Sequence, residues 1–361
     1  MKTTPLFSLF GAAALLLSAC AAAAPAAPTG PPATATTAPT AVPTATTAAP
    51  VVPTATALPK PTEAPRPTAV PPTATVAPPK ASKPLALVAS MPIVKDLLDN
   101  LVAGIQGVTV AAIVPLGSDP HEYEATPGDA KTIAGASAII VVGAQYEDEW
   151  LLKLLKSAGG KPAMIVGAEG IALKPIDKAF DAEFDNDPHI WMDPVRWQQA
   201  ARNVARGLAA LDPAIAMAVN ANADAYVAKL KDLDAYVKAE TGKIPDAQRV
   251  LVTTHDAMGY FAERYGFKVV GAVIASSSSA AAEPSAQSVK RLVDLIKANK
   301  VKAVFSEAGI NPKLTAAVAK EAGVAFVGAL FIDTLSDTKG PASSYIDMIR
   351  YNTLTIVKAL Q

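Results

Sequence analysis

A segment rich in alanine, proline and threonine, residues 21–84, most constrains what this chain can fold into. It holds 17 of the 31 prolines of the chain and no aromatic residue. Proline fixes φ and removes a backbone donor, and the segment has almost nothing large and apolar to bury. We therefore expect residues 21–84 to form a disordered tether with polyproline II character, and the folded body to begin at residue 85.

The residues before this tether have the pattern of an export signal. Lys2 is followed by an apolar stretch from about Leu6 to Leu17, which is short for a membrane span. The stretch ends in Leu-Ser-Ala-Cys, which resembles the bacterial lipobox. Residues 1–20 are thus predicted to be a lipoprotein signal peptide with Cys20 as the lipid anchor, which would hold the protein on the outer side of a membrane. The alternative is an ordinary signal peptide in which Cys20 is incidental.

The overall composition excludes several classes of protein. The chain has 32 basic and 32 acidic side chains, and this balance excludes the basic character suited to a nucleic-acid partner. A single cysteine excludes a disulfide framework, a thiolate zinc finger and an iron–sulfur cluster. No stretch after the leader has 18 consecutive apolar residues, so we expect no membrane-spanning helix in the body.

The body alternates between short β-rich runs and amphipathic helical stretches. This alternation predicts an α/β fold in which mainly parallel sheets of about four strands are flanked by helices, one sheet in each of two lobes. The lobes are predicted at 85–211 and 243–361. The predicted strands are 85–90, 108–114, 138–142, 163–166, 250–253, 268–274, 301–305 and 325–330. The predicted helices within the lobes are 92–103, 128–135, 147–157, 195–211, 256–265, 285–299, 312–322 and 342–360.

One long helix, residues 212–242, is predicted between the lobes. Asp212 and Pro213 supply an N-cap and a proline in the first turn, and Gly242 with Pro245 ends the pattern. Apolar residues recur every three or four positions in between. About thirty residues at 1.5 Å each make a rod of roughly 45 Å. We expect this helix to join the lobes rigidly, the alternative being one more packing helix.

The three histidines of the chain stand in related settings. His121 and His189 each end an Asp-Pro-His tripeptide, in which proline stiffens the turn and the aspartate can accept local N–H bonds. His255 and Asp333 each follow a predicted strand. Residues just past the carboxyl ends of parallel strands line the ligand cleft of α/β proteins. A single histidine in a turn is more often a hydrogen-bonding residue, but three such histidines and one carboxylate form a complete set for tetrahedral zinc, with two ligands from each lobe.

Five segments of the body carry a resemblance to a known family. They are Gly-Ser-Asp-Pro-His-Glu-Tyr-Glu at 117–124, Pro-His-Ile-Trp-Met-Asp-Pro at 188–194, Thr-His-Asp-Ala-Met-Gly-Tyr-Phe-Ala-Glu-Arg-Tyr-Gly at 254–266, Glu-Pro-Ser at 283–285 and Val-Phe-Ser-Glu at 304–307. These segments resemble signature segments of the zinc- or manganese-binding solute-binding lipoproteins of ABC importers. The resemblance implies two α/β lobes joined by one long rigid helix, with the metal in the cleft between them. It also implies that the metal ligands are His121, His189, His255 and Asp333.

Two departures from this family bear on the metal. Many zinc receptors carry a histidine-rich loop after the first ligand, but no histidine lies between residues 122 and 188 here. The acidic stretch 177–187 is expected to be a solvated loop, the alternative being a weak attraction for cations. Manganese-type relatives usually have a glutamate at the third ligand position, where this chain has His255. Imidazole suits zinc whereas manganese prefers oxygen, so Zn²⁺ is favoured and Mn²⁺ is the alternative.

The predicted function is capture of the cation and delivery to an ABC transporter permease, by a monomer and without catalysis. Glu307 follows a strand and is expected to accept a hydrogen bond from a ligand histidine, the alternative being a surface or helix N-terminal carboxylate. Trp191 and Trp197 are expected to fill the core or the lobe interface. The alternative functions are a surface adhesin and a zinc hydrolase, but no His-Glu-x-x-His motif occurs and four protein ligands leave no position for a catalytic water.

Overall fold

The computed structural model describes residues 77–121, 123–176, 184–276, 278 and 284–361. The predictions for the signal peptide, for Cys20 and for most of the tether concern residues outside these ranges.

The first lobe is built on a four-stranded parallel sheet. Its strand order is β2-β1-β3-β4. The connections from β1 to β2 and from β2 to β3 are therefore crossovers, and their helices pack against the sheet. The short strand β3 lies inside the sheet and is buried along its whole length. The strands are β1 (Lys80–Ala89), β2 (Gln106–Ala112), β3 (Ala138–Val141) and β4 (Ala163–Val166). The helices are α1 (Pro92–Leu101), α2 (Pro127–Ala134), α3 (Asp148–Ala158) and α4 (Pro194–Leu211).

Strand β1 begins at Lys80, before the residue 85 at which the folded body was predicted to begin. Lys80 pairs with Gln106 of β2, and the backbone N–H of Ser82 donates to Oδ2 of Asp212 at 2.7 Å. The register between β1 and β2 is irregular between Lys80 and Leu85, where a proline removes one donor. These partners lie far along the chain, and composition alone gives no sign of them.

The long helix is present between the two halves of the fold. It begins with a 3₁₀ turn, Pro213–Ile215, in which Asp212 Oδ1 accepts from the N–H of Ala214 at 3.1 Å. Helix α5 (Ala216–Thr241) continues from this turn and ends close to the predicted Gly242. It packs against α1 and α4 on one side of the molecule and against the last helix of the chain on the other.

The second lobe holds four parallel strands arranged as two hydrogen-bonded pairs. Pair β5–β6 and pair β7–β8 lie side by side, with β5 next to β7. The predicted sheet is therefore present as two ladders, each with one break in register. The strands are β5 (Val250–His255), β6 (Lys268–Ile274), β7 (Ala303–Glu307) and β8 (Ala325–Leu330). The helices are α6 (Gly259–Tyr265), α7 (Ala286–Ala298), α8 (Lys313–Ala322) and α9 (Tyr345–Leu360).

A large apolar core runs from one lobe into the other. Trp191 and Trp197 are fully buried in it, as expected for filler of the core and the interface, together with Tyr226 of α5 and Tyr345 of α9. A smaller cluster lies in the second lobe, where α7 and α8 cover the strands. Among the helices of the described ranges, none has the length and apolar character needed to cross a bilayer.

Candidate metal centre between the lobes

His121 lies in the loop that follows β2. Gly117 adopts a φ of +77° in this loop, a conformation that favours glycine. Asp119 Oδ1 accepts a hydrogen bond from the backbone N–H of His121 at 2.9 Å. The Asp-Pro-His tripeptide therefore forms the rigid turn expected from its sequence. The imidazole packs edge-on against Tyr146, with ring centroids 4.9 Å apart.

His189 lies in the connection between β4 and α4, directly before a 3₁₀ turn at Ile190–Met192. Asp187 Oδ1 accepts from the backbone N–H of His189 at 2.9 Å and also lies 2.9 Å from its Nδ1. Because Asp187 occupies the Nδ1 side of the ring, Nε2 is the nitrogen left for a metal. Asp187 is 5% exposed, so this end of the acidic stretch is not the solvated loop that was expected. Residues 177–183 of that stretch lie outside the described ranges.

His255 is the last residue of β5, and Glu307 is the last residue of the neighbouring β7. Glu307 Oε1 accepts from the backbone N–H of His255 at 2.9 Å, and Oε2 lies 2.6 Å from its Nδ1. Glu307 is 4% exposed, so the alternative of a surface carboxylate does not hold. Two adjacent parallel strands thus end in a histidine and the carboxylate that orients it.

Asp333 follows β8 and completes the cluster. Its Oδ2 lies 3.3 Å from His255 Nε2 and 3.8 Å from His121 Nε2. Its Oδ1 lies 3.7 Å from His189 Nε2, and the Nε2 atoms of His189 and His255 are 3.2 Å apart. One ligand atom from each of the four residues lies within 4.8 Å of the others. The structure therefore brings together all four residues that the sequence singled out, two from each lobe.

The two shortest of these separations, 3.2 and 3.3 Å, are those that a tetrahedral ion requires, and the others are longer, up to 4.8 Å. Bonds of about 2.0–2.1 Å place the ligand atoms of a tetrahedral site about 3.3 Å apart. His121 Nε2 and Asp333 Oδ1 are buried polar atoms without a hydrogen-bond partner in the described part of the chain. Such atoms are costly unless something pairs with them. A cation at the centre of the cluster would satisfy both.

Burial and mutual repulsion keep two of the imidazoles neutral. Desolvation lowers the pKa of His121 and of His189 well below the usual value, and the charge on His255 lowers both further. A neutral imidazole is the form that binds a metal. His121 and His189 are therefore ready to act as ligands without losing a proton.

The other two residues both hold a proton more tightly than free side chains do. Burial lowers the pKa of His255, but the charges of Glu307 and Asp333 outweigh this effect and raise it to about 10. Burial raises the pKa of Asp333 to about 8, and the charge of His255 opposes that rise. The cluster therefore holds protons on His255 and Asp333 that a bound cation would displace.

Two residues near the cluster were missed by reasoning from the sequence. Asp187 was predicted to accept local N–H bonds, but its contact with Nδ1 of His189 was not foreseen. Tyr146 follows Gly143, Ala144 and Gln145, which all adopt positive φ, and nothing in its local sequence indicates a contact with His121. Its burial and the nearby charge of Asp333 raise its pKa well above the usual value.

A two-lobed α/β fold with a closed cluster of three imidazoles and one carboxylate between the lobes is typical of periplasmic metal-binding proteins. Comparison with known proteins agrees. The family model described as zinc-uptake complex component A, periplasmic, matches residues 87–359. The chain belongs to this family, and the resemblance inferred from its motifs is confirmed.

The relatives differ in the metal for which they are named. The chain is 34% identical to the iron-binding protein YfeA of Yersinia pestis, over 78% of this chain and 88% of that protein. It is 32% identical to the manganese-binding lipoprotein MntA of Halalkalibacterium halodurans, over 76% and 88%. The solved structure of the periplasmic zinc-binding protein TroA of Treponema pallidum is 30% identical, with a TM-score of 0.70, and covers 77% of this chain and 99% of that chain.

Other relatives are named as substrate-binding lipoproteins of ABC transporters. The family is thus one of metal-binding receptors for ABC transporters rather than of enzymes. At this level the predicted function is confirmed.

Proposed function

We propose that this protein captures one divalent cation with His121, His189, His255 and Asp333 and delivers it to an ABC transporter permease. The observation that carries the proposal is the convergence of these side chains from four separate segments of the chain. The chain has no further histidine, so all of its imidazoles lie in this cluster. Burial of the cluster favours a cation held by protein atoms alone.

Zn²⁺ is the proposed cargo, with Mn²⁺ as the alternative. Three imidazoles and one carboxylate are a donor set that suits zinc, whereas manganese prefers more oxygen. His255 supplies a nitrogen ligand at the position where manganese-type relatives usually have a glutamate, and this difference favours zinc. The printed names of relatives include zinc, manganese and iron, so the three metals are the ones to compare.

The membrane attachment belongs to the same proposal. Relatives named as lipoproteins support the assignment of Cys20 as the lipid-bearing residue after cleavage of the signal peptide directly before it. The Ala/Pro/Thr-rich segment up to residue 79 would then let a monomeric body move outside the membrane between capture of the cation and contact with the permease.

Metal analysis of purified protein and competitive titration test the proposal. We expect one Zn²⁺ per chain, bound more tightly than Mn²⁺ or Fe²⁺. His255→Ala and Asp333→Asn should weaken zinc binding by more than the roughly 10–100-fold that follows loss of an outer hydrogen-bond partner. Asp224→Asn is the matched control, because Asp224 is an exposed residue that pairs with Arg202. Wild-type titration curves for His255→Ala would contradict the assignment, provided circular dichroism shows that the variant is folded.

A further inference from the structure

The turn that carries His121, residues 117–121, is seated against the opposite lobe. The backbone N–H of Gly117 donates to Oγ1 of Thr334 at 2.8 Å. The same turn also lies against the loop that follows β7, where Gly309 has a φ of +90°. A Cβ at Gly309 would lie 3.3 Å from the carbonyl oxygen of Gly117. Two loops of the second lobe therefore hold a turn of the first lobe.

The burial and the hydrogen bonding of Thr334 favour its role as the acceptor of this hydrogen bond. It is 1% exposed and directly follows Asp333. Its hydroxyl proton points to the carbonyl of Leu335, with an Oγ1 to oxygen distance of 3.4 Å. Because the proton is used there, the lone pairs of Oγ1 remain for the N–H of Gly117. A methyl group in place of the hydroxyl would leave that N–H without its partner.

The position of Gly117 is transmitted to His121 over a short, stiff stretch. Pro120 has a fixed φ, and Asp119 Oδ1 holds the backbone N–H of His121 at 2.9 Å. A shift of Gly117 therefore moves the imidazole with it. The gap between His121 Nε2 and Asp333 Oδ2, now 3.8 Å, would change accordingly.

We propose that Thr334 is a positioning residue that sets the distance between His121 and Asp333. The loop after β8 thus supplies one ligand directly and positions a second ligand, from the other lobe, through the hydroxyl of the next residue. This inference rests on the proposed function, because it assigns Thr334 a part in the same metal centre.

Thr334→Val and Thr334→Ser test the inference in the full-length protein. Valine keeps the shape and removes the hydroxyl, so the dissociation constant for Zn²⁺ should rise about tenfold or more, as for other outer partners of metal ligands. Serine keeps the hydroxyl and should restore binding to nearly the wild-type value. Thr353→Val is the matched control, because Thr353 is also buried but donates within α9, to the carbonyl of Ile349.

Hydrogen exchange of the metal-free proteins supplies a local measurement. Thr334→Val should speed exchange in residues 117–121 and leave residues 187–193 unchanged. Equal zinc affinity in wild type and Thr334→Val, or a loss that serine does not restore, would overturn the inference and leave the proposed function intact. A wild-type protein that binds none of Zn²⁺, Mn²⁺ and Fe²⁺ would overturn the proposed function and this inference together.

Discussion

The two Asp-Pro-His turns have the same local structure. In each turn the aspartate Oδ1 accepts from the backbone N–H of the histidine at 2.9 Å, from Asp119 to His121 and from Asp187 to His189. The proline between them restricts the backbone in the same way. The tripeptide therefore forms the same turn in both places.

The surroundings of the two histidines differ. His189 is 0% exposed and has Asp187 against its Nδ1 as well as its N–H. Two hydrogen bonds hold its loop to the other lobe. The hydroxyl of Tyr260 donates to the carbonyl of Asp187 at 2.7 Å, and Nε1 of Trp191, within the His189 loop, donates to the carbonyl of Ile332 at 2.8 Å.

The His121 turn has a more open environment. The backbone of this turn is partly exposed, although the imidazole of His121 is only 3% exposed, and a groove lined by His121, Tyr123 and Trp150 opens beside it. The turn contacts the other lobe through Thr334. The comparison teaches that a short motif can fix a backbone turn, while contacts remote in sequence decide how firmly its imidazole is held.

The largest expected difference between the two turns appears when the aspartate of each is removed. Asp187→Ala removes the partner of both the N–H and the Nδ1 of His189, so the dissociation constant for Zn²⁺ should rise about 10–100-fold. Asp119→Ala removes the acceptor of the His121 N–H and should have a clearly smaller effect. Titration of both variants against a chelator of known affinity measures the difference.

Asp187→Asn serves as a control, because it keeps an oxygen that can accept from the His189 N–H while it removes the charge. If Asp119→Ala weakened zinc binding as much as Asp187→Ala, the two turns would be equivalent and the comparison would fail.

Much of the fold could be predicted because strand–helix alternation is a local signal. The predicted strand 163–166 agrees with β4, and the predicted helix 195–211 differs from α4 by one residue at its start. For His121, His255 and Asp333 a place in the ligand cleft could be anticipated because residues past the carboxyl ends of parallel strands line it. His189 lies in a longer loop and was singled out by its motif instead.

The remaining features depend on partners that lie far apart in the sequence. The start of β1 at Lys80 requires Gln106 and Asp212, which composition cannot indicate. Glu307 was expected to accept from a ligand histidine, but its pairing with His255 in particular requires β5 and β7 to be neighbours, and periodicity does not reveal the order of strands.

Hydrogen exchange should separate the two turns in the metal-free protein. The backbone N–H groups of residues 117–121 should exchange about tenfold faster than those of residues 187–193, because the second segment is buried and held by more elements. Added Zn²⁺ should slow exchange in both segments and bring their rates closer together. Mass spectrometry of peptides from the two segments measures this ratio. Equal rates without metal would show that the environment of His121 is as firm as that of His189.

The smallest expected effect concerns the support behind His189. The hydroxyl of Tyr345 donates to the carbonyl of Trp191 at 2.7 Å, and the backbone N–H of Tyr345 donates to Oδ2 of Asp96 at 3.3 Å. Asp96 also accepts from the hydroxyl of Tyr226 on the long helix α5. Burial raises the pKa of Asp96 to about 6, although the N–H of Tyr345 opposes that rise.

This shift predicts a pH dependence of stability. Between pH 4 and 6 the folded protein keeps the proton on Asp96 while the unfolded chain has lost it, so the contribution of Asp96 to the free energy of unfolding falls as the pH rises. Asp96→Asn keeps an oxygen acceptor and cannot ionise. The variant should match the wild type near pH 4 and become more stable than it above pH 6, with unchanged zinc affinity. Urea unfolding at several pH values measures this difference. A difference in stability that does not vary with pH would mean that Asp96 is not protonated in the folded protein, and a change in zinc affinity would mean that the support behind His189 reaches the metal centre itself.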